Sequence, residues 1–311
     1  MFSEILFLLL GLTILTVGAE FLVRGATSIA LRLGLSEILV GLTVVAFGTS
    51  APELAVSIKA ALGGQGTIAV GNIVGSNIFN IGVILGLAAL VCPLVVHLGV
   101  VRKDMPLVIG FSLIFILFLF TGSGIARWEG VLLFLLLTGY LGWSFYAGKR
   151  EAAGADLIPT VNTGGSMTGS ISFVVGGLVM LVFGARLFVD GAVGFARGLG
   201  WSEAVIGLTI VSAGTSMPEL ATSIVASLKR QTDIAIGNVV GSNIFNLLCI
   251  GGITATIHPL SPGGIGWIDL GVMLGTSLIL IPFMRSGFRL NRWEGGVLLA
   301  IYTCYLWVLW P

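Results

Sequence analysis

The chain is written twice. Offset by 166 residues, LGLSEILVGLTVVAFGTSAPELAVSI (33–58) falls on LGWSEAVIGLTIVSAGTSMPELATSI (199–224), GAEFLVRGA (18–26) on GARLFVDGA (184–192), and GNIVGSNIFN (71–80) on GNVVGSNIFN (237–246). At an offset of 165, RWEG (127–130) meets RWEG (292–295). Repeats this close do not arise by chance, so the two halves must share one fold. Most of each half is apolar: 56% of residues are hydrophobic and 9% charged, against about 25% charged in a soluble domain. A bilayer span takes roughly 20 apolar residues. Ten segments reach that length, at about 3–23, 38–62, 68–96, 105–121, 128–147, 169–196, 203–228, 234–257, 267–284 and 293–310. The expectation is an all-α integral membrane protein of ten transmembrane helices in one domain. Repeat one is 1–147, a Gly- and Thr-rich linker is 148–168, and repeat two is 169–311.

Five spans per repeat is an odd number, so the second copy enters the membrane from the opposite side. This predicts two inverted five-helix repeats about an axis in the membrane plane. The charges agree. Loops 1–2, 3–4, 5–6, 7–8 and 9–10 carry Arg24, Arg32, Arg102, Lys103, Lys149, Arg150, Lys229, Arg230, Arg285, Arg289 and Arg292; the other side has Lys59, Arg127 and Arg197. The positive-inside rule then puts the linker in the cytoplasm and both termini outside, in the plasma membrane. The N-terminal apolar run lacks a basic leader and is too long for a signal peptide, so it reads as the first span. Cys92, Cys249 and Cys304 show no paired spacing, and His97 and His258 flank loops. Neither set suggests a disulfide framework or a zinc site.

Residues 44–58, VVAFGTSAPELAVSI, put a proline and a glutamate inside a span, and 210–224 repeat the text. Pro52 has no N–H, so the carbonyl of Gly48 loses its helical partner. Ser50 and Glu53 have capping-box spacing, which predicts a second half-helix starting there. The first half-helix should then end near Ala46–Gly48 with its carbonyls free. The same logic covers Ser212, Ala213, Gly214, Ser216, Pro218 and Glu219. In the next span Asn72, Ser76 and Asn80 recur every four residues and share a helix face, as do Asn238, Ser242 and Asn246. Gly71, Gly75, Gly237 and Gly241 let neighbouring backbones approach. The two-fold brings both broken segments to the midplane, gathering Glu53, Glu219, Thr49, Ser50, Thr215, Ser216, two more serines, asparagine amides and free carbonyls. An acid at such depth costs about 2.5–3.5 kcal/mol, and two facing acids repel. Oxygen ligands of this kind suit calcium or sodium, and no thiolate or imidazole cluster invites a softer metal.

The paired GTSAPEL…GNIVGSNIFN and GTSMPEL…GNVVGSNIFN motifs make the chain similar to the cation/calcium exchanger superfamily, in its short prokaryotic sodium/calcium exchanger form. The resemblance covers essentially the whole chain. It implies calcium ligands at Glu53 and Glu219, helped by Thr49 and Thr215. It implies overlapping sodium sites at Ser50, Ser76, Asn80, Ser216, Ser242 and Asn246, with the carbonyls of Ala46 and Ser212. It also implies that the first and sixth helices slide across this core as a gate. One departure stands out: the family often has aspartate where this chain has Asn246.

The expected function is a secondary active antiporter exchanging calcium for sodium by alternating access. A proton/calcium exchanger is the nearest alternative, and a passive cation channel is an alternative of another class. No cofactor is expected beyond the transported ions, and nothing supports an enzyme: there is no nucleophile–base pair and no phosphate loop. The expected partners are the lipid bilayer, calcium and sodium, with no nucleic acid and a monomer as the working unit. Asn77 and Asn243 read as ties on the broken backbone. Glu20 with Arg24, and Arg186 with Asp190, read as local ion pairs. The two Arg-Trp-Glu-Gly stretches read as interfacial helix starts, with Trp as anchor and Glu at the positive helix end.

Overall fold

The computed structural model describes residues 2–120, 122, 124–154, 166–200 and 212–309. In chain order its elements are α1 (Phe2–Leu33), α2 (Glu37–Thr49), α3 (Ala51–Leu62), α4 (Gly66–Val91), β1 (Leu94–Val95), α5 (Val100–Phe120), α6 (Arg127–Gly154) and α7 (Met167–Gly198). After a helical turn at Ser212–Gly214 come α8 (Met217–Leu228), α9 (Thr232–Ile257), α10 (Trp267–Arg285), β2 (Arg289–Leu290) and α11 (Arg292–Leu309). Seven of these, α1, α4, α5, α6, α7, α9 and α10, are each long and apolar enough to cross a bilayer. The pair α2–α3 makes an eighth span, bent by 45° at Ser50. The 203–211 stretch of the span expected before α8 lies outside the described residues.

Helix α9 is buried over its whole apolar window and α4 over 72%, whereas α1 and α7 are buried over 28%. The centre is therefore α4 and α9 with the broken segments, and the long helices form the outside. Both α1 and α7 have 32 residues. That is about 48 Å at 1.5 Å per residue, well beyond a hydrocarbon core of about 30 Å, so each must tilt or project.

These two outer helices run antiparallel and press together on glycine. Gly11, Gly18 and Gly25 face Gly184, Gly177 and Ser170 in turn. A Cβ on Gly177 would sit 2.7 Å from the carbonyl oxygen of Gly18, and one on Gly18 would sit 3.0 Å from that of Gly177. Only hydrogen fits between the two backbones. Gly237 and Gly241 do the same for α9 against α2, where a Cβ on Gly241 would meet the Leu42 carbonyl at 2.6 Å. Among the described residues a Cβ on Gly71 would meet only the Ile265 side chain, at 3.6 Å, and one on Gly75 would meet nothing within 4 Å.

Contacts between connections sort into two ends. At one, β1 pairs antiparallel with β2 (Leu94 with Leu290, Val95 with Arg289) and His97 Nε2 lies 3.1 Å from Asp233 Oδ2. At the same end Lys229 bonds Glu20, and Gln231 donates to Thr27 at 2.8 Å. At the other end Ile125 and Leu260 exchange backbone hydrogen bonds at 2.8 and 3.0 Å. Leu94–Leu290 and Leu260–Ile125 are the same contact with the repeats exchanged. Glu129 and Glu294 likewise accept from the backbone N–H groups of Ala126 and Asn291, each at 2.7 Å, so each Arg-Trp-Glu-Gly stretch starts a helix with Glu at its positive end. Trp128 and Trp293 beside them are exposed.

Three readings need correction. Ser50 occupies the N-cap of α3 but caps nothing, because its hydroxyl is drawn to a carboxylate of the other repeat. Glu20 pairs with Arg24 at 2.5 Å but also with Lys229, so the contact crosses repeats. Among the described residues Arg186 and Asp190, both exposed, form no ion pair. The symmetry is thus broken at the ends: α1 lies along α8, while α7 makes no comparable contact with α3.

Candidate functional site

Each broken span delivers its acid at the start of its second half. Pro52 and Pro218 sit in the first turns of α3 and α8, where a missing N–H costs nothing. Glu53 and Glu219 follow one residue later, each 1% exposed. The positive ends of α3 and α8 favour an anion there.

The two acids are held crosswise. Ser50 Oγ donates to Glu219 Oε1 at 2.9 Å, and Ser216 Oγ donates to Glu53 Oε1 at 2.8 Å. Each carboxylate is therefore steadied by the break in the other repeat. The second oxygens, Glu53 Oε2 and Glu219 Oε2, are buried and receive no hydrogen bond. The Thr215 hydroxyl lies by Glu53. Thr49 Oγ1 donates to Asn238 Oδ1 at 3.0 Å and lies 3.3 Å from the Ala46 carbonyl, which also accepts from Ser50 N. Ser76 Oγ is 3.4 Å from Ser216 Oγ. Ser212 stands in the helical turn Ser212–Gly214 that precedes Ser216.

The asparagines divide into two jobs. Asn72 Nδ2 reaches the Glu53 carbonyl at 3.2 Å and Ser57 Oγ at 2.9 Å; Asn238 Nδ2 reaches the Glu219 carbonyl at 3.3 Å and Ser223 Oγ at 3.0 Å. These two tie the broken backbone, the role expected of Asn77 and Asn243. Asn77 instead donates to the Ile73 carbonyl of its own helix. Asn243 Oδ1 accepts from Asn80 Nδ2 at 3.0 Å, which leaves Asn80 Oδ1 without a donor. Asn246 Oδ1 and Ser242 Oγ are also buried and without a partner.

The free amide oxygens of Asn80 and Asn246 lie on π-helical turns, Asn80–Leu85 and Phe245–Ile250, the widened turns that recur at functional sites; a third, that of Asn77, lies on the α-helical stretch before the first of them. Ser57 and Ser223 could have been found as small hydroxyls four residues after each acid. The π turns left no sequence signal, since residue type does not fix a one-residue widening.

The donors at this depth are oxygen alone. Among the described residues no cluster of three or more His, Cys, Asp or Glu is present. Buried oxygens that lack donors are costly unless something positive faces them. The arrangement therefore accepts a hard cation and offers a thiophilic metal nothing.

Comparisons with known proteins agree with this chemistry. The family pattern described as "Sodium/calcium exchanger protein" matches residues 3–146 and 169–310. The sodium/calcium exchanger MaX1 of Methanosarcina acetivorans is 35% identical over 341 residues, spanning 98% of this chain and 97% of that protein. The inner membrane protein YrbG of Escherichia coli is 37% identical, spanning 90% and 88%. A solved structure of the sodium-calcium exchanger NCX_Mj, soaked with zero Na+ and Ca2+, superposes with a TM-score of 0.85 at 31% identity over 99% of both chains. With two matched halves, crossed carboxylates and full-length likeness in hand, the chain belongs to the sodium/calcium exchanger family.

Proposed function

We propose that the chain is a secondary active antiporter that moves calcium out of the cytoplasm against inward sodium, by alternating access to one midplane site. The observation that carries this is the pair of crossed glutamates, each with one oxygen fixed by serine and the other free of any donor. Calcium takes six to eight oxygens and favours carboxylates. Its ligands are Glu53 and Glu219, completed by Thr49 and Thr215. Sodium uses the same acids and threonines with Ser50, Ser76, Asn80, Ser216, Ser242, Asn246 and the carbonyls of Ala46 and Ser212.

The energetics give coupling. With no cation the two carboxylates repel and need water, so sealing the site is costly. A bound cation neutralises them, and the loaded carrier closes readily. An empty carrier that cannot close cannot leak.

The two sets of end contacts support ten spans, with the Ser212–Gly214 turn and α8 ending the seventh and α11 the last. The basic loops share the end of β1 and β2, which we assign to the cytoplasm. The α1–α8 contact at that end supports a state closed to the cytoplasm, with α1 and α7 as the moving pair. Exchange in proteoliposomes tests the reading. Calcium uptake should follow an imposed sodium gradient and ignore a pH gradient in sodium-free medium. Uptake driven by the pH gradient alone would make the chain a proton/calcium exchanger, for which the same two acids would serve.

A further inference from the structure

Between α5 and α6 a groove of about 660 Å3 opens on the outer surface, with walls that are almost wholly apolar. On α6 its lining runs from Leu132 through Leu136 and Gly139 to Trp143, one face of the helix. That stretch is about 16 Å at 1.5 Å per residue, close to half of a hydrocarbon core of about 30 Å. The groove thus has the depth of one leaflet. Its apolar run ends at Arg102 and Lys103, adjacent on the π-helical turn that opens α5, at the end of the molecule that carries the basic loops. Arg102 is exposed, and among the described residues nothing pairs with it.

We propose that this groove binds one anionic phospholipid, with an acyl chain along the Leu132–Trp143 face and the phosphate at Arg102 and Lys103. A neutral surface would take any lipid tail; the paired cations at the headgroup end select the charge. Basic pockets between spans on the cytoplasmic side are suited to anionic headgroups, and the exposed Trp143 belongs at the interface. The site also touches the transport machinery. Lys103 and Trp143 line a neighbouring crevice with Ser36, Leu39 and Leu42, at the beginning of α2, the half-helix that ends at Thr49. A seated headgroup therefore braces α2 where it enters the membrane.

The test counts lipid rather than ion flux, so it stands apart from the exchange reading; only the choice of leaflet rests on that reading. Protein is reconstituted in vesicles of phosphatidylcholine and phosphatidylglycerol at 3:1, extracted in mild detergent, and its retained lipid is counted by native mass spectrometry. Native protein should retain phosphatidylglycerol enriched several-fold over its share. Arg102→Gln should lower that enrichment about fivefold, the worth of one basic residue at a charged membrane surface. Gly139→Leu is the second variant. A Cβ there meets nothing within 4 Å, so the side chain starts in open space, projects into the groove and keeps every charge. It should lose the retained lipid with an unchanged size-exclusion profile. Retention in vesicle proportion by native protein would overturn the proposal. So would undiminished enrichment in Gly139→Leu, which would assign the preference to the basic surface at large.

Discussion

Glu53 and Glu219 contribute one charge each to a site where neither has another carboxylate in reserve. Replacing Glu53 or Glu219 by Gln removes half the negative charge facing a divalent ion while keeping shape and a hydrogen-bond acceptor. The expected loss is about 3 kcal/mol, over a hundredfold in calcium affinity, with the protein still folded. Isothermal titration and exchange assays on both variants check this, and retained exchange in either would count against the assignment. Asn246→Asp puts a third acid where the native amide oxygen is buried and lacks a donor. It should change the sodium Hill slope or the pH profile of exchange more than calcium affinity; an unaltered slope and profile would contradict the assignment. The residues of the candidate site were legible because the same polar letters recur in both halves inside apolar spans, where polar letters are expensive. Their partners were not. Ser50 stands three residues before Glu53 with ideal capping spacing, yet its hydroxyl goes to Glu219, 169 residues away. Local spacing competes with tertiary contact, and here the buried carboxylate offers the stronger acceptor.

At the scale of elements, Pro52 announced the broken span and the apolar run 169–196 announced the long α7, while the π turns and the full length of α1 went unforeseen. Helix α1 continues to Leu33, past the apolar run that defines a span, because its last turns rest on α8 and on the loop that follows it. Gly177→Val drives a branched side chain into the Leu22 and Gly18 backbone, where even a Cβ stands at 2.6–2.7 Å. It should cost about 1–3 kcal/mol or more and stall exchange, read as a lowered thermal midpoint and a lost rate; full activity would mean that the helices can separate freely. Glu20→Gln releases Arg24 and Lys229 at the end where α1 meets α8. Hydrogen exchange should then rise in 225–233 and stay level in 59–67, the matching segment at the other end. Equal change in both would deny that end its role in closure.

For the whole molecule, the duplicated text and the charge bias of the loops were enough to anticipate which connections lie together. The strand pair at Leu94 and Leu290 and its exchanged twin at Ile125 and Leu260 join the loops that this reasoning groups. What the text could not disclose is how far the two copies differ in shape, since matching motifs are packed here with α1 along α8 at one end and no comparable contact of α7 with α3 at the other. A global prediction follows from ligand linkage. Calcium at a hundred times its dissociation constant should stabilise the native protein by about 2.7 kcal/mol. The gain should vanish in Glu53→Gln, as measured by thermal unfolding in detergent with and without chelator.

The glycine seam has a mechanical corollary. In the alternating-access cycle proposed above, two rods fused back to back would move as a single seesaw: pressing α1 down on α8 at one mouth would lift α7 at the other. A vestibule open to both compartments at once would require the rods to part, and backbones in hydrogen-to-oxygen contact have no slack to part with.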